Sequence, residues 1–403
     1  MEYVKVTNSG PMDCVNGEYA NCEANIEKLH NGDLVVVFQE TTGNAGHDFN
    51  SNICLLRSTD GGRTWNQHEK VTVFRQGPDH GYNIAGITQL ADGTLISNGG
   101  QLMFGNPNQP LNNQAPGGNC RGAGVWTKFS VQTSKSTDNG YTWSEPSLVN
   151  VAPRGWASCR NSIVELPDQS LLMPLYGSRG WHAEGVELGT PDQSFILWSG
   201  NKGESWHPWG TIAIDPAEVN NYHEPALLCL KDGRMISMMR MHTIPNLDPP
   251  GGYLFFCVSE DDGSTWSLPR RTELWGYPAD LIQLQDGRVL CVYGYRRGVQ
   301  PGVRACISED GTTWKKENEF LICGTPNTPA ALLHLGYPSS TQLDDGTIVT
   351  VYHRYWWDCT KWQDESASSV AVVRQNLPPL PMQHLLHGIL PWRHFIEAAI
   401  YTL

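Results

Sequence analysis

Short apolar runs separated by tight polar turns fill most of the chain. The clearest case is Asn221–Arg240, in which ALLCL and RMISMMR flank the turn Lys231-Asp232-Gly233. An Asp-Gly pair between two apolar runs predicts a β-hairpin. Glu224 opens the first strand and Arg240 closes the second, so the hairpin should place a carboxylate beside a guanidinium group at the end away from the turn.

The hairpin pattern recurs along the chain, with turns at Asn31-Gly32, Asp92-Gly93, Asp168-Gln169, Asp232-Gly233, Asp286-Gly287 and Asp345-Gly346. A further apolar strand precedes a second repeated motif, Ser-x-Asp-x-Gly-x-Thr-Trp. It occurs at Ser58–Trp65, Ser136–Trp143 and Ser259–Trp266, in a shortened form at Ser308–Trp314 and in a degenerate form at Ser199–Trp206. In such a turn the Asp binds backbone amides, the Gly adopts a positive φ and the Trp packs underneath.

Six such units predict an all-β protein, a six-bladed β-propeller. The blades should begin near residues 20, 80, 158, 221, 276 and 336, within one catalytic domain over residues 1–375. We expect Tyr3–Thr7 to supply a strand that closes the ring and residues 368–374, SSVAVVR, to end the sixth unit. Residues 376–403 are predicted to be a C-terminal extension without an assigned role.

Composition supports this fold and excludes several functions. Among the 403 residues are 41 glycines and 15 tryptophans, and only 17% are charged, which suits tightly turned sheets. The net charge is −13 and no basic run occurs, so nucleic-acid binding is not expected. No apolar run has the length of a membrane span. The start of the chain lacks the apolar core of a signal peptide, so we expect a cytoplasmic protein unless a leader was removed.

The cysteines and histidines do not predict a metal site or a cofactor. The 11 cysteines show no paired spacing, and several lie inside apolar runs, as buried free thiols do. His80, His223 and His242 lack the spacing of metal ligands and are interpreted as polar lining of a site.

The turn motif is the Asp-box, or BNR repeat, and with the hairpins it makes residues 15–375 resemble the sialidase (neuraminidase) superfamily of six-bladed propellers. The resemblance implies an exo-acting glycoside hydrolase that releases a terminal sialic acid or related 2-keto acid sugar from a glycan. In that family three arginines hold the substrate carboxylate, a tyrosine attacks the anomeric carbon, a glutamate takes its proton and an aspartate is the acid/base.

One strand position holds most of the candidate residues. Ligands bind at the mouth of a propeller's central funnel, which the first strand of each blade lines. The residues eight positions before the hairpin turns are Glu23, Ile84, Arg160, Glu224, Pro278 and Tyr337. Glu, Arg and Tyr have little structural use in a core strand, so these types are the site candidates.

The family pattern can be carried over residue by residue. Glu224 resembles the family's glutamate, Arg240 its second arginine and Tyr337 its nucleophile. Asp48 lies ten residues before Ser58, near the place of the acid/base aspartate.

The remaining substrate-binding candidates surround these positions. The third arginine is Arg297 or, alternatively, Arg296. His47, beside Asp48, is an alternative proton carrier, and His223 is a further candidate for substrate binding.

The first blade departs from the family. Just before the first hairpin the family has Arg-Ile-Pro, whereas this chain has Asn21-Cys22-Glu23. The first arginine is therefore missing, and Glu23 would repel a carboxylate. Arg160 is the candidate to replace it.

Other interpretations stay open at this point. Tyr337 could simply repeat a Gly-Tyr-Pro motif that also occurs at 276–278, and Glu224 could form a structural ion pair with Arg240. A glycosidase or lyase acting on a uronate- or rhamnose-containing polysaccharide would use the same rim. The third hypothesis is that the protein is a propeller that binds sugars without catalysis.

Overall fold

The computed structural model describes residues 1–7, 20–41, 51–78, 80–105, 126–178, 191–243, 252–297, 301–324, 336–357 and 392–403. These residues form six four-stranded antiparallel sheets, and the first strand of each blade lies at one edge of its sheet. First strands of adjacent blades pack against each other, so this edge faces the central axis. The predicted six-bladed β-propeller is confirmed.

The first three blades follow the N-terminal strand β1 (Glu2–Lys5). Blade one contains β2 (Ala20–Lys28), β3 (Leu34–Thr41), β4 (Ser51–Ser58) and β5 (Val71–Phe74), with a 3-10 turn at Gln67–Glu69. Blade two contains β6 (His80–Gln89), β7 (Leu95–Gly105), β8 (Trp126–Ser136) and β9 (Ser147–Leu148). Blade three contains β10 (Val164–Glu165), β11 (Leu171–Gly177), β12 (Gln193–Ser199) and β13 (His207–Ala213).

The other three blades repeat this arrangement. Blade four contains β14 (Asn220–Cys229), β15 (Met235–Thr243), β16 (Tyr253–Ser259) and β17 (Arg270–Trp275). Blade five contains β18 (Ala279–Gln283), β19 (Val289–Tyr295), β20 (Gly302–Ser308) and β21 (Glu319–Gly324), with a 3-10 turn at Lys316–Asn318. Blade six contains β22 (Gly336–Gln342), β23 (Ile348–Trp357), β24 (Trp392–Tyr401) and β1.

The two chain ends meet in blade six. β1 pairs with β24, with Glu2 opposite Ile400 and Lys5 opposite Glu397, so the expected ring-closing role of the N-terminal strand is confirmed. The prediction that residues 376–403 form an extension is wrong for Trp392–Tyr401, the third strand of this blade. Residues 368–374, predicted for that place, lie outside the described residues.

Pairing explains why the last strand forms although it contains a helix-favouring Glu-Ala-Ala stretch. β24 pairs with β23 along its whole length, from Ile348 opposite Tyr401 to Trp357 opposite Trp392. Ile396, Ala398 and Ile400 are buried in the core shared with blade one. Burial against neighbouring strands overrides local propensity.

The Asp-box turns lie beside the hairpin turns, at the opposite end of the strands from the candidate site. In the fourth blade Ser259 pairs with Met235, next to the hairpin turn. Asp261 accepts hydrogen bonds from the Thr265 amide at 2.8 Å and hydroxyl at 2.6 Å. In the degenerate copy Asn201 accepts from the Ser205 amide at 3.0 Å, so its amide oxygen performs the same closure.

The hydrophobic core lies between adjacent blades. One cluster joins Met238 and Phe256 of blade four to Leu281 and Cys291 of blade five, with the Asp-box Trp314 packed into it. This packing fixes each blade against the next and holds the inner strands around one axis. No helix in the described ranges is long and apolar enough to cross a membrane.

Candidate active site

In each of four blades, a β-bulge gives one residue of the first strand an unusual backbone conformation. Glu23, Ile84, Glu224 and Tyr337 have φ values of 56°, 49°, 53° and 47°. The pairing register shifts at each, for example between His223 and Ala226. Non-glycine residues rarely adopt this left-handed region, and such strain concentrates at functional sites. These are four of the six residues that lie eight positions before a hairpin turn, and three of them, Glu23, Glu224 and Tyr337, are site candidates.

Two of the bulges meet across the axis. The Tyr337 hydroxyl donates a hydrogen bond to Glu224 Oε1 at 3.2 Å, between residues 113 apart in sequence. Both side chains are buried, with exposed fractions of 5% and 3%. The predicted contact between blades four and six is therefore present.

Three guanidinium groups surround this pair. Arg240 Nη1 lies 3.5 Å from Glu224 Oε2, and Arg160 Cζ lies 5.1 Å from the centroid of the Tyr337 ring. Arg296 Cζ lies 5.4 Å from the same ring. Arg160 is fully buried and donates from Nη2 to the Pro338 carbonyl at 3.2 Å. The structure thus brings Arg160 and Arg240 to one site, as the sequence predicts.

Of the two candidates for the third arginine, Arg297 and Arg296, it is Arg296 that lies beside Tyr337. Arg297 is exposed, and its guanidinium lies 5.4 Å from the Trp275 ring. Arg296 instead points to Tyr337 and to Tyr277, whose ring centroid is 4.8 Å from its Cζ. Successive residues after a strand point to different sides, and sequence alone does not say which faces the axis.

The arginines set opposite electrostatic conditions for the two partners. Burial would raise the pKa of Glu224, but Arg240, followed by His223, Arg160 and Arg296, lowers it below its ordinary value. Burial raises the pKa of Tyr337 well above its usual range, and the negative charge of Glu224 adds to the effect. At rest the pair therefore holds an ionised carboxylate and a neutral phenol.

Two residues that the family resemblance does not assign also contact groups of this site. The His353 ring stacks on Tyr337 with centroids 5.4 Å apart, and its Nδ1 accepts the Glu23 amide at 3.1 Å. Tyr277 packs under Arg240, whose Cζ lies 4.1 Å from its ring. The Gly-Tyr-Pro motif was the signal for Tyr277. Nothing in the strand pattern singled out His353.

His223 belongs to an adjoining cluster. Its Nε2 pairs with Asp192 Oδ2, and its ring lies 4.7 Å from Tyr176 and 4.6 Å from His242. Burial lowers the pKa of His242 to about 3, helped by His223 and Arg240, so that ring is neutral. His223 acts on the site through its proximity to Glu224.

Two of the predicted residues cannot be placed. Asp48 and His47 lie outside the described residues, so the acid/base role predicted for Asp48 stays a prediction. Within the described ranges, no three histidine, cysteine, aspartate or glutamate side chains converge as metal ligands.

Comparison with known proteins agrees with this architecture. Residues 118–350 match the BNR repeat-like domain family, which is more than half of the chain, so the chain belongs to that family. It lies within the sialidase superfamily. A sialidase of Clostridium perfringens is 24% identical over 263 residues, which cover 60% of this chain and 59% of that protein. The chain thus spans little more than half of the relative's length.

Solved structures show the same fold. A Dyadobacter fermentans protein of unknown function superimposes with a TM-score of 0.74 at 20% identity, covering 99% of this chain and 97% of that one. The NanB sialidase of Streptococcus pneumoniae, as its K499G mutant, gives a TM-score of 0.65 at 12% identity, covering 99% and 70%. At these identities the likeness establishes the propeller fold.

Proposed function

We propose that this protein is an exo-acting glycoside hydrolase of sialidase type, which releases a terminal sialic acid or related 2-keto acid sugar. One observation carries the proposal: the Tyr337 hydroxyl donates to Glu224 at 3.2 Å inside a cluster of three arginines. A phenol held by an ionised carboxylate, within a positive field, suits attack on an anionic sugar.

The arginines bind the substrate carboxylate. Arg160, Arg240 and Arg296 approach from three different blades, and forked guanidinium groups fix the orientation of a carboxylate. Arg240 contacts Glu224 over a long 3.5 Å distance, so its guanidinium can turn toward an incoming anion. An arriving carboxylate that shares Arg240 weakens its hold on Glu224 and makes Glu224 a better base.

Proton transfer accompanies attack. Tyr337 Oη forms a bond to the anomeric carbon while its proton passes to Glu224, and the bond to the leaving oxygen breaks. The raised pKa of Tyr337 excludes a resting phenolate, so deprotonation must occur as the new bond forms. Asp48 is the proposed donor of the proton to the leaving oxygen. Water then releases the sugar from Tyr337.

The first test is hydrolysis of an aryl sialoside. We expect the protein to release the fluorophore from 4-methylumbelliferyl α-sialoside and not from the matching neutral aryl hexosides, because only the sialoside carries the anion for the arginines. Turnover of a neutral hexoside alone, or of none of the panel, would contradict the proposal.

A second candidate rests on the His223 cluster. The Asp192 carboxylate orients His223 next to Glu224 and Tyr176, an arrangement suited to acid/base work. A glycosidase or lyase acting on a uronate- or rhamnose-containing polysaccharide could use it. An unsaturated uronate product, detected by its ultraviolet absorption, would favour this candidate over the sialidase.

A further inference from the structure

Glu23 lies in blade one, two residues after Asn21, which stands where the sialidase pattern has its first arginine. It lies in the same left-handed bulge as Glu224 and Tyr337, with φ 56°, and its exposed fraction is 1%. A strained conformation that buries a carboxyl group costs stability twice. A residue retained at that cost suggests a role in the site.

The fold pairs the Glu23 carboxyl group only weakly, through the nearby backbone amide of Ile84. Among the described residues, neither Glu23 oxygen has a hydrogen-bond partner of good geometry, and the same holds for Nε and Nη1 of the buried Arg160. Buried polar atoms nearly always have partners. The Glu23 carboxyl group lies close enough to Arg160, Glu224 and Tyr337 to interact electrostatically with all three, so it belongs to the same site.

The neighbouring charges decide which form of Glu23 is present. The titratable and charged groups around the carboxyl are Cys159, Arg160, Glu224, Arg296, Tyr337 and His353. Burial raises the pKa of Glu23 to about 8. Arg160 opposes this shift, Glu224 adds to it, and Arg296 and the Ile84 amide oppose it. Glu224 forms the ion pair with Arg240, so the Glu224 carboxyl group is ionised and the Glu23 carboxyl group is protonated.

We propose that Glu23 is a specificity residue that contacts the substrate, its protonated carboxyl donating a hydrogen bond to the anionic group that the three arginines bind. A neutral acid can donate a hydrogen bond to an anion, as an arginine would, without adding a further positive charge. The inference rests on the proposed function, because it assigns a partner to the same anionic sugar.

The proposal makes substrate capture depend on pH. Below the pKa of Glu23 the carboxyl is neutral and donates its hydrogen bond. As pH rises through that pKa, the group becomes an anion that repels the substrate. We expect kcat/KM for 4-methylumbelliferyl α-sialoside to fall about tenfold per pH unit above about pH 8.

The deciding variant is Glu23→Gln, whose amide donates a hydrogen bond but does not titrate. It should lose the alkaline decline, and its kcat/KM near pH 6 should fall by less than about tenfold. Glu27→Gln is the matched control. Glu27 lies on the same strand, and burial likewise raises its pKa to about 8. The Gln89 amide, which donates a hydrogen bond to Glu27 at 3.4 Å, opposes the shift, and the charge of Asp280 adds to it. This variant should keep the decline. An unchanged decline in Glu23→Gln would overturn the inference.

Thermal unfolding reports the proton on Glu23 without any substrate. The folded state keeps this proton up to about pH 8, whereas the unfolded chain releases it near its ordinary pKa, so wild-type stability falls between those two values. Glu23→Gln should therefore have a higher Tm than wild type at pH 8, with the difference shrinking toward pH 5. Equal pH dependence of Tm would overturn the inference while leaving the proposed function standing. Absence of sialoside hydrolysis by the wild type would instead remove the proposed function and the inference that rests on it.

Discussion

Replacing Tyr337 with phenylalanine should lower kcat for aryl sialosides by at least about 10³-fold, because it removes the attacking oxygen. The fold should survive, since the ring keeps its stacking on His353 and its place under Arg160. Glu224 keeps its ion pair with Arg240. We expect a Tm within a few degrees of wild type, as only one hydrogen bond of about 1 kcal/mol is lost. Steady-state kinetics and thermal unfolding on the same preparation check both parts.

Tyr277→Phe is the matched control for this variant. Tyr277 lies in the same Gly-Tyr-Pro sequence, is equally buried and packs against Arg240 and Arg296. It does not adopt the left-handed bulge, and its kcat should change by less than about tenfold. Similar losses in the two variants would mean that Tyr337 only repeats a blade motif.

Replacing Arg240 with alanine should lower both activity and stability. The change leaves the buried Glu224 without its nearest counter-charge, so we expect the free energy of unfolding to fall by about 3–5 kcal/mol. It also removes one guanidinium from the carboxylate site, at about 2–5 kcal/mol of transition-state binding, or roughly 10²-fold or more in kcat/KM. Denaturant unfolding and kinetics at several sialoside concentrations measure the two losses.

Two further variants separate charge from position. Arg240→Lys keeps the charge but not the fork, so it should recover more of the stability than of the substrate affinity. Arg297→Ala removes an exposed guanidinium that lies over Trp275, and both properties should stay close to wild type. A specificity constant that is unchanged in Arg240→Ala would refute its role at the site.

The architecture was predictable because its determinants are local. Asp-Gly turns, alternating apolar residues and Asp-boxes each act over a few residues, and together they specify six hairpins and their order. The shared strand position of Glu224 and Tyr337 followed from counting back from the turns. Because the blades form a ring, this shared position brings the two side chains together across the axis. The hydrogen bond of 3.2 Å from Tyr337 to Glu224 shows that contact.

The parts that the sequence did not decide depend on geometry that spacing does not encode. Whether Arg296 or Arg297 faces the axis is decided by where β19 ends and the chain turns. The third strand of blade six was missed because Trp392–Tyr401 is far from β23 in sequence and carries no Asp-box. Tyr277 and Tyr337 both lie in a Gly-Tyr-Pro motif. Their positions relative to the following hairpin turn differ by one residue, however, and only Tyr337 lies in a bulge.

Trapping the glycosyl-enzyme tests the central claim most directly. A sialic acid derivative with fluoride as leaving group and a second fluorine beside the anomeric carbon should form the covalent species quickly and release it slowly, because the second fluorine destabilises the oxocarbenium-like transition state. The account predicts that mass spectrometry will find one sugar on the peptide that contains Tyr337, and none in the Tyr337→Phe variant. A label on a different residue, or sialoside turnover that continues with no covalent species, would contradict it.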